Sequence, residues 1–504
     1  MHKTEPVSAK LELIRQLADQ AFSRSAGAPL VNGNRVELLF DSTENFPAWK
    51  DAIAGAKESV LIEMYIFANN RYGRQLRELL AERATAGVKV RLLYDWLGSW
   101  KEHLTGFFKP IVAAGGEVRA FNPPSLVGGL SLLGRDHRKL IVVDGQEAFV
   151  SGLCVSSLWE GNPARQLPPW RDTGLRLAGP LVADAIAAFA DSWESCGTPL
   201  SDDAPPPHAG PTGPVAARLI ATTPATANVM RLDLMIASFA RRTLWLTDAY
   251  FIGAGTYLAA LQNAARDGVD VRLLVPRSSD IGWIATVSRT LYRPLLEAGV
   301  RVFEWNGPMI HAKTAVADGR WARIGSTNLN ASSWLANREI DVAIEDEVLA
   351  SQLASKFLQD LQNATEVVLA GPRQRPTLTR RRPRDVLLPV SPRSSAAAGA
   401  SAAARQAARI GDAVGAVVRG SRNVDASEAA SFLTIGLSLL ALALAIGFFP
   451  YLVAAPLTLL LVLTGGAITV KALGLYRARR RKKQHASQLA DKPAPTHDDS
   501  SPMP

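Results

Sequence analysis

Residues 309–330 read MIHAKTAVADGRWARIGSTNLN, and residues 136–156 read DHRKLIVVDGQEAFVSGLCVS. Each stretch sets a histidine and a lysine two apart, His311 with Lys313 and His137 with Lys139, ahead of an Asp-Gly pair at Asp318 or Asp144. The residues between are strand formers. Side chains two apart on a strand share a face, so each imidazole and its ammonium point the same way. Asp144 and Asp318 have the opposite parity and stand in turns at the strand ends, which assigns them to holding the motif and not to contact with a substrate. If Asp318-Gly319 is a two-residue hairpin turn, the returning strand puts Ser326 opposite His311 and Asn328 on the same face. An imidazole, an ammonium, a hydroxyl and an amide then share one surface, a nucleophile or acid beside donors for anionic oxygens. Phosphodiester chemistry needs that set, because charge on the non-bridging oxygens must be neutralised while one group attacks phosphorus and another protonates the leaving oxygen.

One His-x-Lys pair followed by an aspartate is weak, since a core or surface histidine explains it as well. Recurrence at the same place in two matching repeats reverses that balance. The repeats extend well beyond the motif: ESVLIEMYIFANN corresponds to RTLWLTDAYFIGA, AGVKVRLLYD to DGVDVRLLVP, and AAGGEVRAF to EAGVRVFEW, in the same order and spacing. Strands alternate with amphipathic stretches such as YGRQLRELLAERATA, the signature of an α/β layer on a largely parallel sheet. Two similar sheets packed about a pseudo-two-fold axis are expected. Two histidine-poor sites with a lysine between the candidates make poor ligand sets, so no metal is expected.

The 504 residues carry a net charge of +10, thickening after residue 370, which points to an anionic partner such as lipid headgroups or nucleic acid. Two cysteines, Cys154 and Cys196, in neither metal-ligand nor secretory spacing, fit a reducing compartment without a disulfide. The start of the chain reads as a soluble helix, with no apolar run of signal-peptide length. Near the other end, FLTIGLSLLALALAIGFF and YLVAAPLTLLLVLTGGAITV are uncharged runs separated by Pro450, each long enough for a helix across a hydrocarbon core of about 30 Å. Arg419 and Arg422 before them and RARRRKK after them place both flanks in the cytoplasm. The expected organisation is a helical extension over 1–34, a first repeat over 35–200, a Pro-rich linker over 201–214 and a second repeat over 215–370. A basic Pro- and Ala-rich linker with room for an amphipathic helix follows over 371–430, then a transmembrane hairpin over 431–476 and a basic, then disordered tail over 477–504.

Both motifs resemble the His-x-Lys-x4-Asp-x6-Gly-Ser-x-Asn signature of the phospholipase D superfamily. The second copy matches in full from His311 to Asn328. The first keeps His137, Lys139 and Asp144 but has Ser151, Gly152 and Cys154 where Gly, Ser and Asn would stand. Over most of residues 35–365 the chain is most similar to the bacterial cardiolipin synthases that lack amino-terminal membrane spans, as in YIFANNRYGRQL, DAYFIG and NREIDVAI. The resemblance implies an α/β fold of two phospholipase D-like repeats, each a mixed sheet flanked by helices, and no metal or organic cofactor. It implies that His137 attacks phosphorus while His311 acts as general acid, then base, with the exchange of these roles left open. Lys139, Lys313, Ser326 and Asn328 would bind the phosphoryl oxygens. Asp172 in WRDTGLRL and Glu339 in NREIDVAI would each fix the tautomer of an imidazole.

A phosphohistidine resolved by the glycerol headgroup of phosphatidylglycerol gives cardiolipin; resolved by water it gives phosphatidic acid. The apolar hairpin and its basic flanks favour a lipid substrate, an anionic phospholipid in the bacterial inner membrane with the catalytic body on the cytoplasmic side. The competing readings are a membrane-tethered phospholipase D, a nuclease of the same superfamily, and a catalytically silent scaffold in which Cys154 marks decay. Oligomeric state is left open.

Overall fold

The computed structural model describes residues 7–124, 134–162, 166–200, 210–224 and 226–369. The expected hairpin over 431–476 and its basic flanks lie outside these residues, as does most of the Pro-rich linker. Among the described residues no helix is long and apolar enough to cross a membrane.

The first half contributes β1 (Val31–Phe40), β2 (Ser59–Met64), β3 (Lys89–Asp95), β4 (Glu117–Phe121), β5 (Lys139–Val143), β6 (Glu147–Ser151) and β7 (Thr173–Ala178). The second contributes β8 (Val215–Thr222), β9 (Thr243–Thr247), β10 (Asp270–Pro276), β11 (Arg301–Trp305), β12 (Thr314–Ala317), β13 (Trp321–Gly325), β14 (Glu339–Glu345) and β15 (Ala364–Val367). From the middle outward the halves run β1-β7-β6-β5-β2-β3-β4 and β8-β14-β13-β12-β9-β10-β11, with β15 added at one edge. Each strand except β15 therefore has a counterpart, and β1 pairs antiparallel with β8 to join the two sets into one ladder. The expected pseudo-two-fold repeat is present, with continuous pairing through its centre.

Only the β2-β3-β4 and β9-β10-β11 pairs are parallel. The strands that carry the motifs are antiparallel, because each motif is a hairpin and a short turn can only reverse the chain. In this respect the sheet is mixed, and less parallel than the strand and helix alternation alone suggests. The inner faces pack together: Leu140, Val142 and Leu177 of the first half share a core with Ile324, Val342 and Ile344 of the second. The helix Val7–Ala26 leans on the second half, where Phe22 packs on Phe239 and Ser23 Oγ accepts a 2.8 Å hydrogen bond from buried Arg218.

Both motif hairpins turn through three residues, not two. Asp318 and Gly319 have φ of 54° and 67°, and Asp144 and Gly145 have 52° and 62°. Arg320 or Gln146 follows as a third loop residue, so Ala317 pairs with Trp321 and Val143 with Glu147. This moves the register by one from that expected: extended past its last pair, the ladder sets Ser326 across from Ala312 and not from His311.

Candidate active site

The chain supplies two buried imidazoles, one from each half, and each is held by a carboxylate from the other. His137 Nδ1 lies 2.9 Å from Glu339 Oε2, and His311 Nδ1 lies 2.8 Å from Asp172 Oδ2. Backbone pairing sets up this exchange. His137 N donates to Arg338 O at 2.9 Å, and His311 N donates to Arg171 O at 2.7 Å, so each histidine is stitched beside the residue preceding its carboxylate. A carboxylate only accepts, so Nδ1 of each ring carries the hydrogen and Nε2 keeps its lone pair. Asp172 and Glu339 thus each lie against an imidazole supplied by the other half.

The two carboxylates are steadied differently. Ser326 Oγ donates to Glu339 Oε2 at 2.6 Å and accepts from Ile340 N at 2.9 Å, while Asn337 Nδ2 reaches Glu339 Oε1 at 3.2 Å. The single hydroxyl hydrogen of Ser326 is directed at Glu339, so in this structure the serine, expected to bind phosphate, steadies the acid. In the first half Gly152 occupies the matching position, and a Cβ there would lie 2.2 Å from Asp172 Oδ1. Only glycine fits against the shorter acid. The missing hydroxyl is replaced by Trp159 Nε1, which donates to Asp172 Oδ2 at 2.8 Å, while Thr173 N donates to Oδ1 at 2.8 Å. Glycine in place of the motif serine signalled that another donor was needed; nothing in the sequence singled out Trp159 as that donor.

Asp144 and Asp318 are remote from the imidazoles. The carboxylate of Asp144 accepts from the backbone N–H groups of Lys57, Glu58 and Ser59, and that of Asp318 from Arg241, Arg242 and Thr243. Each clamps the start of a central strand to the motif hairpin, the holding role expected for it. These bonds outweigh partial burial and keep the Asp318 carboxyl below its ordinary range.

Lys139 Nζ donates to His137 O at 2.5 Å. Lys313 Nζ donates to His311 O and stands 2.9 and 3.0 Å from the two ring nitrogens of His311. Burial lowers the Lys313 ammonium to about 8, with Asp172 opposing and Lys139 adding to the shift. Burial also depresses both imidazoles, and the ammoniums of both halves act on each ring: His311 falls to about 4, and His137 shifts downward although Glu339 opposes it. Each ammonium is thus near enough to both rings to disfavour their charged forms. The acids are shifted downward as well, for the opposite reason. Burial would raise Glu339 and Asp172, but their histidines, a nearby lysine and the Ser326 or Trp159 donor hold each below its ordinary value.

Asn328 is 3% exposed, and its Oδ1 has no hydrogen-bond partner among the described residues. Of this amide, only Nδ2 could donate to a phosphoryl oxygen. Cys154 takes the matching place in the first half; it is buried, its thiol is pushed up by that burial, and both Lys139 and Lys313 act on it. Sequence reasoning missed several supports. Arg138, wholly buried, donates to Glu339 O at 3.1 Å, Ala188 O at 2.7 Å and Ser192 Oγ at 2.9 Å. Tyr65 and Tyr250 set their rings edge-on to His137 and His311, with centroids 4.9 and 5.7 Å apart. Asp95 accepts from Asp136 N at 2.9 Å and Asp248 from Leu329 N at 2.8 Å, fixing the backbone next to His137 and to Asn328. No group of three or more ligating side chains suited to a metal occurs among the described residues.

Residues 49–156 and 235–361 match the family described as cardiolipin synthase, PLD-like domain. The chain is 32% identical to the cardiolipin synthase of Geobacillus thermodenitrificans (strain NG80-2) over 69% of its own length and 70% of the relative's. It is 32% identical to the major cardiolipin synthase of Bacillus subtilis (strain 168), covering 66% of this chain and 70% of that one. Among solved structures, the phosphatidylserine synthase of Haemophilus influenzae Rd KW20 shares the fold, with a TM-score of 0.54 at 14% identity over 69% of this chain and 91% of that one. The chain belongs to the cardiolipin synthase family of phospholipase D-like enzymes.

Proposed function

We propose that the protein is a phosphatidyltransferase that joins two phosphatidylglycerol molecules into cardiolipin and glycerol, through a phosphohistidine on His137. The observation that carries this reading is the reciprocal pairing of His137 with Glu339 and of His311 with Asp172. It leaves two Nε2 atoms, one to attack phosphorus and one to move a proton at the opposite oxygen. His137 Nε2 is the better placed nucleophile, because Lys139 binds only the carbonyl of its histidine whereas Lys313 crowds the ring of His311.

In the first step His137 Nε2 bonds to phosphorus, the bond from phosphorus to the headgroup oxygen breaks, and His311 gives that oxygen its proton, releasing glycerol. In the second step the glycerol hydroxyl of another phosphatidylglycerol gives its proton to His311 and bonds to phosphorus as His137 leaves. At rest His311 is neutral at physiological pH. A phosphodiester anion placed between Lys139 and Lys313 offsets the charges that depress the ring and restores the proton it must donate. Lys139, Lys313 and the Nδ2 group of Asn328 stabilise the crowded phosphoryl oxygens by donating to them. A place at the bacterial inner membrane, with the site facing the cytoplasm, agrees with the apolar hairpin sequence and its basic flanks.

The test is to supply purified protein in detergent micelles with phosphatidylglycerol labelled in the glycerol headgroup and in an acyl chain. Cardiolipin with one free glycerol per product is the expected outcome. Phosphatidic acid without cardiolipin would assign water as the acceptor and replace transfer by hydrolysis.

A further inference from the structure

The reacting nitrogens are deeply set, with His137 and His311 only 9% and 4% exposed, yet a diacyl substrate keeps its chains in a bilayer. The rim of the site must therefore touch that bilayer. Two segments at equivalent positions have the required character. After β3, Leu97, Trp100 and Leu104 are 48%, 45% and 69% exposed; after β10, its counterpart, Ile281 and Trp283 are 39% and 61% exposed. Isolated exposed apolar residues are ordinary on any protein, but matched groups on two pseudo-symmetric segments, each a loop running into a helix (Trp100–Thr105 and Gly282–Thr290), are not scattered.

Both loops are tied to the rings that flank the histidines. Ser99 Oγ accepts from Phe67 N at 2.9 Å and contacts Tyr65 O at 3.4 Å, and a Cβ on Gly98 would lie 2.1 Å from Tyr65 O. The first loop is thus locked against the tyrosine beside His137. In the second, Tyr250 Oη donates to Asp280 Oδ1 at 2.9 Å, fixing the loop to the tyrosine beside His311. Charge favours an anionic surface: Lys101 stands over the Trp100 ring at 5.5 Å and Arg277 is exposed, whereas Glu102 and Asp280 are engaged by Asn69 N and Tyr250.

We propose that Leu97, Trp100, Leu104, Ile281 and Trp283 form a two-sided rim that inserts into the headgroup layer of an anionic glycerophospholipid bilayer. The indoles lie at the interface and the aliphatic side chains reach below it. The rim seats the mouth of the site on the membrane independently of the apolar runs near the end of the chain. The inference rests on the lipid-substrate reading, and its test separates the two.

In full-length protein carrying Cys196→Ser, an environment-sensitive fluorophore is attached at Leu104→Cys and mixed with vesicles of equal phosphatidylglycerol and phosphatidylcholine brominated on the acyl chains. Quenching by the bromolipid is expected. In parallel, Trp100→Ser/Trp283→Ser should slow turnover of vesicle phosphatidylglycerol about tenfold, while turnover of a short-chain phosphatidylglycerol dispersed as monomers stays within about twofold. An unquenched label, equal slowing on both substrates, or protection that follows protein concentration and not lipid would overturn the rim; the last would assign it to a second copy of the chain. Quenching without cardiolipin from the unsubstituted protein would leave the rim standing and reject the functional reading instead.

Discussion

Glu339 Oε2 lies 2.9 Å from His137 Nδ1 across a sequence separation of 202 residues, and the reciprocal bond of Asp172 to His311 closes the exchange. Neither half holds a complete acid-base pair of its own. Each of the two links therefore joins one half to the other, and each can be broken separately.

Glu339→Gln and Asp172→Asn keep the volume but replace an acceptor-only group with an amide that can hold either tautomer. Each should lower kcat by about 10²–10⁴-fold with little change in KM, because the loss falls on proton transfer and not on lipid capture. Steady-state cardiolipin formation against phosphatidylglycerol concentration measures both constants. A rise in KM alone would mean that the acids bind substrate.

Ser326→Ala and Asn328→Ala should diverge. The serine hydroxyl donates to Glu339, so its loss should reduce kcat by disordering the acid; if Asn328 Nδ2 donates to the phosphoryl group as proposed, its loss should weaken transition-state binding and reduce kcat/KM. If Ser326→Ala raises KM and spares kcat, the hydroxyl contacts the lipid phosphate after all.

The pH profile follows from Lys313. Its ammonium titrates near 8 in the free enzyme, so the charge that holds phosphate is complete below that pH and is lost as pH rises through it. The kcat/KM curve should bend downward near pH 8, and Lys313→Arg, which stays charged, should move that limb to higher pH even if its turnover is reduced. An alkaline limb that does not move in the arginine variant would assign it to another group.

Asp318→Asn tests the clamp. Removing the charge from an acceptor of three backbone N–H groups should cost about 1.5–3 kcal/mol of stability at neutral pH, read from denaturant unfolding. Because the folded carboxyl titrates below its ordinary 3.8, the wild-type advantage is full at neutral pH and disappears as pH falls through the folded value. An unchanged midpoint at neutral pH would contradict the holding role.

Cys154→Asn restores the residue of the matching position in the second half. Turnover should be retained or improved, while the melting temperature falls, since Cys154 lies in an apolar cluster with Phe67 and Val155 where a new amide lacks partners. Loss of turnover with unchanged stability would make the thiol itself part of the reaction.

Much of this arrangement is legible in the sequence because it is written twice. Matching strands and the spacing of His137 to Lys139 and of His311 to Lys313 come from comparing one half with the other, while the acids in WRDTGLRL and NREIDVAI come from the family resemblance. What the repeat does not encode is where the halves differ. Trp159 standing in for a serine hydroxyl depends on Gly152 leaving room for a shorter acid, a packing fact with no spacing rule behind it. The hairpin register slipped by one because Arg320 and Gln146 join the turn, and an Asp-Gly pair opens a three-residue loop as readily as a two-residue one. Asp95, Asp248 and Arg138 are not legible in the sequence because most of their partners are backbone groups, which carry no residue identity.

The convergence of His137 and His311 on a single phosphorus is tested most directly by a crystal structure with bound vanadate, which adopts the five-coordinate geometry of phosphoryl transfer. The expected result is vanadium bonded to His137 Nε2, with His311 Nε2 within hydrogen-bonding distance of the oxygen on the opposite apex. Vanadate held by one imidazole with the other turned away from it would contradict the two-histidine site.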